Sequence, residues 1–175
     1  MIYWLSAGDE ITGVSGAWDR FAVENGGPEA LAELVLGHSL WEFVQGVPTR
    51  RFLSEVFHAC RHTGDDFAMP YRCDGNGEER LIGLRVFPEE NGALRVEHRL
   101  LRTRLAFAGT LPKAVHAAVY RQCSICLSCH VGEHWMAPGR LIRTPEAEVT
   151  YVVCPACRAA TQVTAIAALE GPRFA

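Results

Sequence analysis

Apolar positions along this chain recur first at strand spacing, then at helical spacing, then at strand spacing again. Two short apolar stretches, Ile2–Leu5 and Ile11–Val14, flank Ala7-Gly8-Asp9, a run suited to a tight turn, and predict a β-hairpin. Trp18, Phe21 and Ala22 fall at helical spacing and stop at Asn25-Gly26-Gly27-Pro28. Pro28 then opens a second helical stretch with Leu31, Leu34 and Val35 on one face and Gly37 closing it. After the apolar knot Leu40–Val44, the longest helix is predicted from Pro48 to about His62, with Phe52, Leu53, Val56, Phe57 and Cys60 on its buried stripe.

From Asp66 onward the period shortens toward two, which predicts strands over Phe67–Cys73, Arg80–Phe87 and Ala93–Leu101. Leu94, Val96 and Leu100 share one face of the last, and Asp74-Gly75-Asn76-Gly77 and Glu90-Asn91-Gly92 supply the turns. Two strands, several helices and three strands fit one five-stranded antiparallel sheet with helices on a single face, an α+β class. The local text carries a more specific likeness: Trp18, Phe21, Ala22 and Asn25; Gly37-His-Ser-Leu-Trp-Glu-Phe-Val44; and the run from Tyr71 to Pro88. Over residues 2 to about 104 the chain resembles the PAS family. The resemblance implies a domain that senses a ligand or binds a partner, with a homodimer among the expected assemblies.

The hydrophobic fraction of 49% and charged fraction of 21% are those of a folded globular chain, and the net charge of −3 sets up no field for nucleic acid or an anionic membrane. The first ten residues have no basic run before Asp9 and Glu10, and no apolar run approaches the ~20 residues of a membrane-spanning helix. These features predict a cytoplasmic protein, where closely spaced cysteines more often bind metal than form disulfides.

Five of the seven cysteines lie between residues 123 and 157, as Cys123-x2-Cys126-x2-Cys129-His130 and then Cys154-Pro-Ala-Cys157. Paired C-x2-C knuckles are the strongest chemical signal in the sequence, since each presents two thiolates to one tetrahedral zinc and four close the site. The text, with Trp135 and the late Cys-Pro-x-Cys, is similar to the zinc-ribbon tail behind PAS domains in some bacterial signalling proteins. That likeness favours Cys123, Cys126, Cys154 and Cys157 as ligands of a structural Zn2+. Cys129, His130 and His134 remain alternates, through the register Cys126/Cys129. The organisation expected is a PAS-like domain over 1–104, a connector over 105–120 with a short helix through Lys113–Tyr120, a ribbon over 121–160 and a C-terminal helix or tail over 161–175. A hairpin through Trp135-Met136 and Val149–Val153 is expected to fill the gap between the knuckles.

Other chemistries draw on some of the same residues. Cys126-Leu-Ser-Cys129-His130 is a literal haem-attachment text, but the second knuckle and the lack of an export signal favour zinc. Cys129 beside a zinc-bound pair is a candidate redox thiol. His58, one turn from His62, is the candidate haem ligand on the long helix. Trp18, Phe21, Trp41, Phe43, Phe52, Phe57, His58 and Tyr71 are the candidate lining of a small-molecule pocket, whose ligand the sequence does not name. Arg121, Arg140, Arg143 and Arg158 against Glu133, Glu146 and Glu148 make no basic stripe, which ranks a nucleic-acid adaptor last. No phosphate loop, nucleophile elbow or H-E-x-x-H text is present, so the chain is expected to be no enzyme.

Overall fold

The computed structural model of the chain describes residues 1–74, 78–105, 113–114, 119–137, 141–142 and 148–160. The opening hairpin pairs β1 (Ile2–Leu5) with β2 (Ile11–Val14). At its turn Asp9 adopts φ +64°, a left-handed conformation that Asp tolerates better than most residues. Its carboxylate accepts from Trp41 Nε1 at 3.0 Å and from Arg61 at 2.7 Å, while Arg61 also donates to the carbonyls of Ser6 and Gly92. One half-buried ion pair thus clips the hairpin to two helices.

Four α-helices follow: α1 (Trp18–Glu24), α2 (Ala32–Val35), α3 (Leu40–Phe43) and α4 (Val47–Thr63). The stretch expected to be one helix from Pro28 is broken. Pro28–Ala30 forms a 3-10 turn, Leu31 is extended, and α2 starts afterwards, where Asp19 Oδ1 accepts from Ala32 N at 2.6 Å. A carboxylate on α1 therefore caps α2, Val35 is buried, and Leu34 is turned to solvent. A capping box at Ser39 and Glu42 starts α3. Along α4, Phe52, Val56, Phe57 and Cys60 are buried, as the helical spacing predicts, and Gly64 in the left-handed conformation ends it.

Three strands complete the sheet: β3 (Phe67–Arg72), β4 (Glu78–Pro88) and β5 (Leu94–Leu105), each running a residue or more beyond or short of its sequence expectation. The turn at 75–77 lies outside the described residues. The sheet order is β2-β1-β5-β4-β3, all antiparallel. Because β2 and β3 occupy opposite edges, the helices between them must cross the whole sheet. They bury Leu5, Val86, Leu94 and Val96 beneath α4's apolar stripe.

The C-terminal part is a second sheet, of order β11-β7-β8-β9, built from β7 (Val119–Cys123), β8 (Cys129–Val131), β9 (His134–Met136) and β11 (Glu148–Val152). Two-residue strands β6 (Lys113–Ala114) and β10 (Leu141–Ile142) pair with each other in parallel. The expected helix through Lys113–Tyr120 is corrected at both of its described ends, which are strands, because Val119 and Tyr120 pair in parallel with Glu148 and Val149. Residues 115–118 lie outside the described residues. The expected hairpin is corrected too: β9 pairs with β8, while β11 runs along the opposite edge beside β7. A helical turn covers 155–160, and the C-terminal helix or tail expected at 161–175 lies outside the described residues.

The two sheets share one hydrophobic core. Cys123, Ile125, Val153 and Cys154 pack in the same cluster as Phe52, Val56, Phe57 and Val86. Arg72 at the end of edge strand β3 donates its N–H to Ile125 O at 2.7 Å, and Thr49 on α4 hydrogen-bonds Ser124. Gly46, at φ +81°, lets the start of α4 approach β11, since a side chain there would meet Tyr151 Cβ at 3.2 Å. Among the described residues no helix is long and apolar enough to cross a membrane.

Candidate metal centre

The first knuckle grows out of β7. Cys123 is its last residue, a turn carries Ser124–Cys126, and Leu127, at φ +59°, reverses the chain into β8. The turn is closed by Leu127 N to Cys123 O at 3.0 Å and Cys123 N to Ser128 O at 2.9 Å. The second knuckle leaves β11, places Cys154 at the entry of the helical turn at 155–160, and brings Cys157 round on its first residues. Pro155 suits the first position of that turn, where no backbone N–H is needed.

These two elements bring four sulfurs, of Cys123, Cys126, Cys154 and Cys157, within 4.8 Å of one another. Cys126 and Cys154 Sγ are 3.8 Å apart. A Zn–S length of about 2.3 Å puts the corners of a tetrahedron about 3.8 Å apart, so the spacing fits one tetrahedral ion. Backbone amides point at the sulfurs as they do around a thiolate: Ile125 N and Cys154 N each donate to Cys123 Sγ at 3.4 Å, and Cys157 N donates to Cys154 Sγ at 3.4 Å.

The electrostatics lead to the same demand. Burial pushes the Cys123 thiol up, and burial followed by the neighbouring Cys123 pushes Cys157 up. Burial would raise Cys126 as well, but hydrogen bonds from the side chain and backbone of Ser128, 3.2 Å away at Oγ, outweigh it and hold Cys126 below the ordinary thiol range. Four thiols this close, two of them buried, cannot all ionise against one another; a divalent cation removes that penalty, and binding it releases the protons. The four residues could hold a metal, and with four sulfurs around it no position is left for substrate.

The alternates are placed elsewhere. Cys129 is buried on β8, its sulfur 3.9 Å from Leu127 O, outside the four-sulfur group. The reversal at Leu127 sends it to the next strand, so the two cysteines of the haem-attachment text face different environments. His130 packs its ring against Trp135, with centroids 5.0 Å apart, and His134 is exposed. His58 lies on the solvent side of α4, stacked on His62 at 6.1 Å.

The aromatic residues proposed as pocket lining divide. Phe52 and Phe57 are buried in the core, with the Trp41 ring 5.8 Å from Phe57. Trp18, Phe21 and Phe43 line a cavity of about 250 Å³ under α1, and Phe21 and Tyr71 line a neighbouring one of about 380 Å³. Sequence reasoning missed a residue of the larger cavity, His98. The signal was present: Leu94, Val96 and Leu100 mark the inner face of β5, and His98 is the polar residue at the one position between them. Tyr71 Oη meets its Nδ1 at 2.9 Å and Tyr3 stacks on its ring at 5.6 Å.

Comparison of the chain with protein-family models, with curated proteins and with solved structures finds no match.

Proposed function

We propose that the chain is a non-catalytic sensory or interaction module of PAS type whose C-terminal sheet is fastened by a structural zinc at Cys123, Cys126, Cys154 and Cys157. The observation that carries this reading is that four sulfurs converge against the same core as the sheet and α4, with Cys123 and Cys154 buried in it and Cys126 and Cys157 partly buried against it. A closed thiolate site does not activate water or substrate; it fixes geometry. The order of two strands, crossing helices and three strands supports the PAS part, as does the cavity between α1 and the sheet. In this reading the module acts by binding another protein or a second copy of itself.

Elemental analysis with an absorption spectrum, on protein purified without added metal, tests this. One zinc per chain and a featureless visible region are expected. Iron with a Soret band would overturn the structural reading in favour of a haem sensor. Cys129→Ser is expected to keep its full zinc complement, whereas the rival register predicts loss of the metal.

A further inference from the structure

The outward ridge of α4 is made by Arg51, Glu55, His58 and His62, all of them exposed. With 3.6 residues to a turn, these four fall within about 60° of one another around the helix, opposite the buried stripe Phe52, Val56, Phe57 and Cys60. The first two are spent on each other: Arg51 Nε donates to Glu55 Oε1 at 2.9 Å. The second two are not. The His58 and His62 rings lie side by side, 6.1 Å apart and 12° from parallel, and among the described residues neither makes a hydrogen bond or an ion pair. Other histidines are engaged elsewhere: His38 with Glu42, His98 with Tyr71, His130 against Trp135.

Side chains at i and i+4 are neighbours on a helix, so two imidazoles at that spacing on one face can bind the same ion. With metal–nitrogen bonds of about 2.0–2.1 Å, two rings on one ion have their centroids about 4.5–5.5 Å apart, and closing from 6.1 Å takes roughly 1 Å of side-chain movement. The backbone that sets the spacing is held at both ends. Thr49 bonds Ser124 near the start of α4, and Arg61 donates to Asp9, Ser6 and Gly92 near its end. Glu55 precedes His58 by three residues, but Arg51 occupies it, and its carboxylate does not join the two imidazoles within reach of one ion. Two nitrogens therefore face open solvent, where water fills an ion's remaining positions.

We propose that His58 and His62 form a second metal site, an exchangeable two-imidazole chelate for a divalent transition metal such as Ni2+, Cu2+ or Zn2+. Imidazole selects these ions over Mg2+ and Ca2+, which prefer oxygen ligands. The site differs in kind from the cysteine centre. Its ligands are exposed and only two in number, so its ion exchanges with free metal while an ion held by four sulfurs stays in place. An ion here staples one turn of the helix that packs against both sheets, and binding stabilises the folded chain. The inference goes beyond the reading above and rests neither on its PAS part nor on the four-sulfur group.

Calorimetric titration of the full-length protein with Ni2+ tests it, with the metal already bound measured before and after. One Ni2+ per chain is expected to bind while that earlier metal is retained, and Mg2+ is expected not to bind. His58→Ala and His62→Ala sit at exposed helical positions where alanine is favoured, so the fold is kept. Each is expected to weaken Ni2+ binding about tenfold or more, because a single imidazole has lost the tethered second one. His134→Ala, exposed but on a strand, is expected to change nothing. Ni2+ is also expected to raise the melting temperature of the unchanged chain and of His134→Ala, but not of either α4 variant. No saturable uptake by the unchanged chain at millimolar Ni2+, a weakening in only one α4 variant or in neither, or Ni2+ uptake matched by release of the earlier metal overturns the proposal.

Discussion

Cys154→Ser is expected to destabilise the whole chain, strands β1–β5 included, and not the C-terminal sheet alone. Cys154 is 3% exposed and sits in the same core as Phe57 and Val86, and its neighbour Val153 packs there too. Losing one of four thiolates leaves three that repel one another without a cation, so the knuckles open. Ile125 and Val153 then leave the surface of α4, and Arg72 N loses Ile125 O. Removing about two buried aliphatic side chains from a core costs roughly 3 kcal/mol or more, which for a chain of this size lowers the melting temperature by about 6–12 °C. The measurement is thermal unfolding followed by near-ultraviolet circular dichroism, where Trp18 and Trp41 report the first sheet and helices. A chelator strong enough to strip the metal from the unchanged chain should give the same shift. If the aromatic signal of the first hundred residues melts unchanged while the metal is gone, the shared core contributes nothing and the C-terminal sheet is an independent appendage.

Much of the first half was legible because each element announces itself locally. The alternation in Leu94, Val96 and Leu100 and the helical stripe Phe52, Val56, Phe57, Cys60 are properties of neighbouring residues, and the structure buries Leu94, Val96 and that stripe. The two C-x2-C knuckles are local as well, and the structure brings their four sulfurs together. What the sequence did not yield depends on partners far along the chain. α2 is separated from the preceding turn by a cap from Asp19, thirteen residues earlier. β11 pairs with β7 in parallel, a choice no turn signal encodes, and residues expected as helix became strand because that pairing exists. The bulge that puts Thr103 opposite Arg80 is invisible in text, since a single inserted residue changes no composition. His98 was passed over for the opposite reason: a lone polar residue in an apolar alternation reads as noise until Tyr71 is seen beside it.

That histidine also makes the chain acid-sensitive in a calculable way. His98 is boxed by Tyr71 on β3, Tyr3 on β1 and the amine of Met1, which donates to its carbonyl, while Arg80, Glu24 and Glu78 face the adjoining cavity. Its folded value of about 4, set by burial and then by the N-terminal charge, lies below the ordinary 6.5. As pH falls through 6.5 the unfolded chain takes up a proton that the folded chain refuses, so stability is full above about pH 6.5 and is lost on the way down to about 4. One pKa unit is worth about 1.4 kcal/mol, which gives a loss of about 2 kcal/mol at pH 5 and about 3 kcal/mol at pH 4. Thiolate protonation also weakens the metal centre in acid, so the informative quantity is a difference. Urea unfolding of the unchanged chain and of His98→Gln, which retains a partner for Tyr71, is expected to give stability curves that converge as the pH drops from 7 toward 4. Curves that stay parallel would show that His98 titrates normally, and a direct titration of its ring protons by NMR distinguishes that result from a variant that simply packs badly.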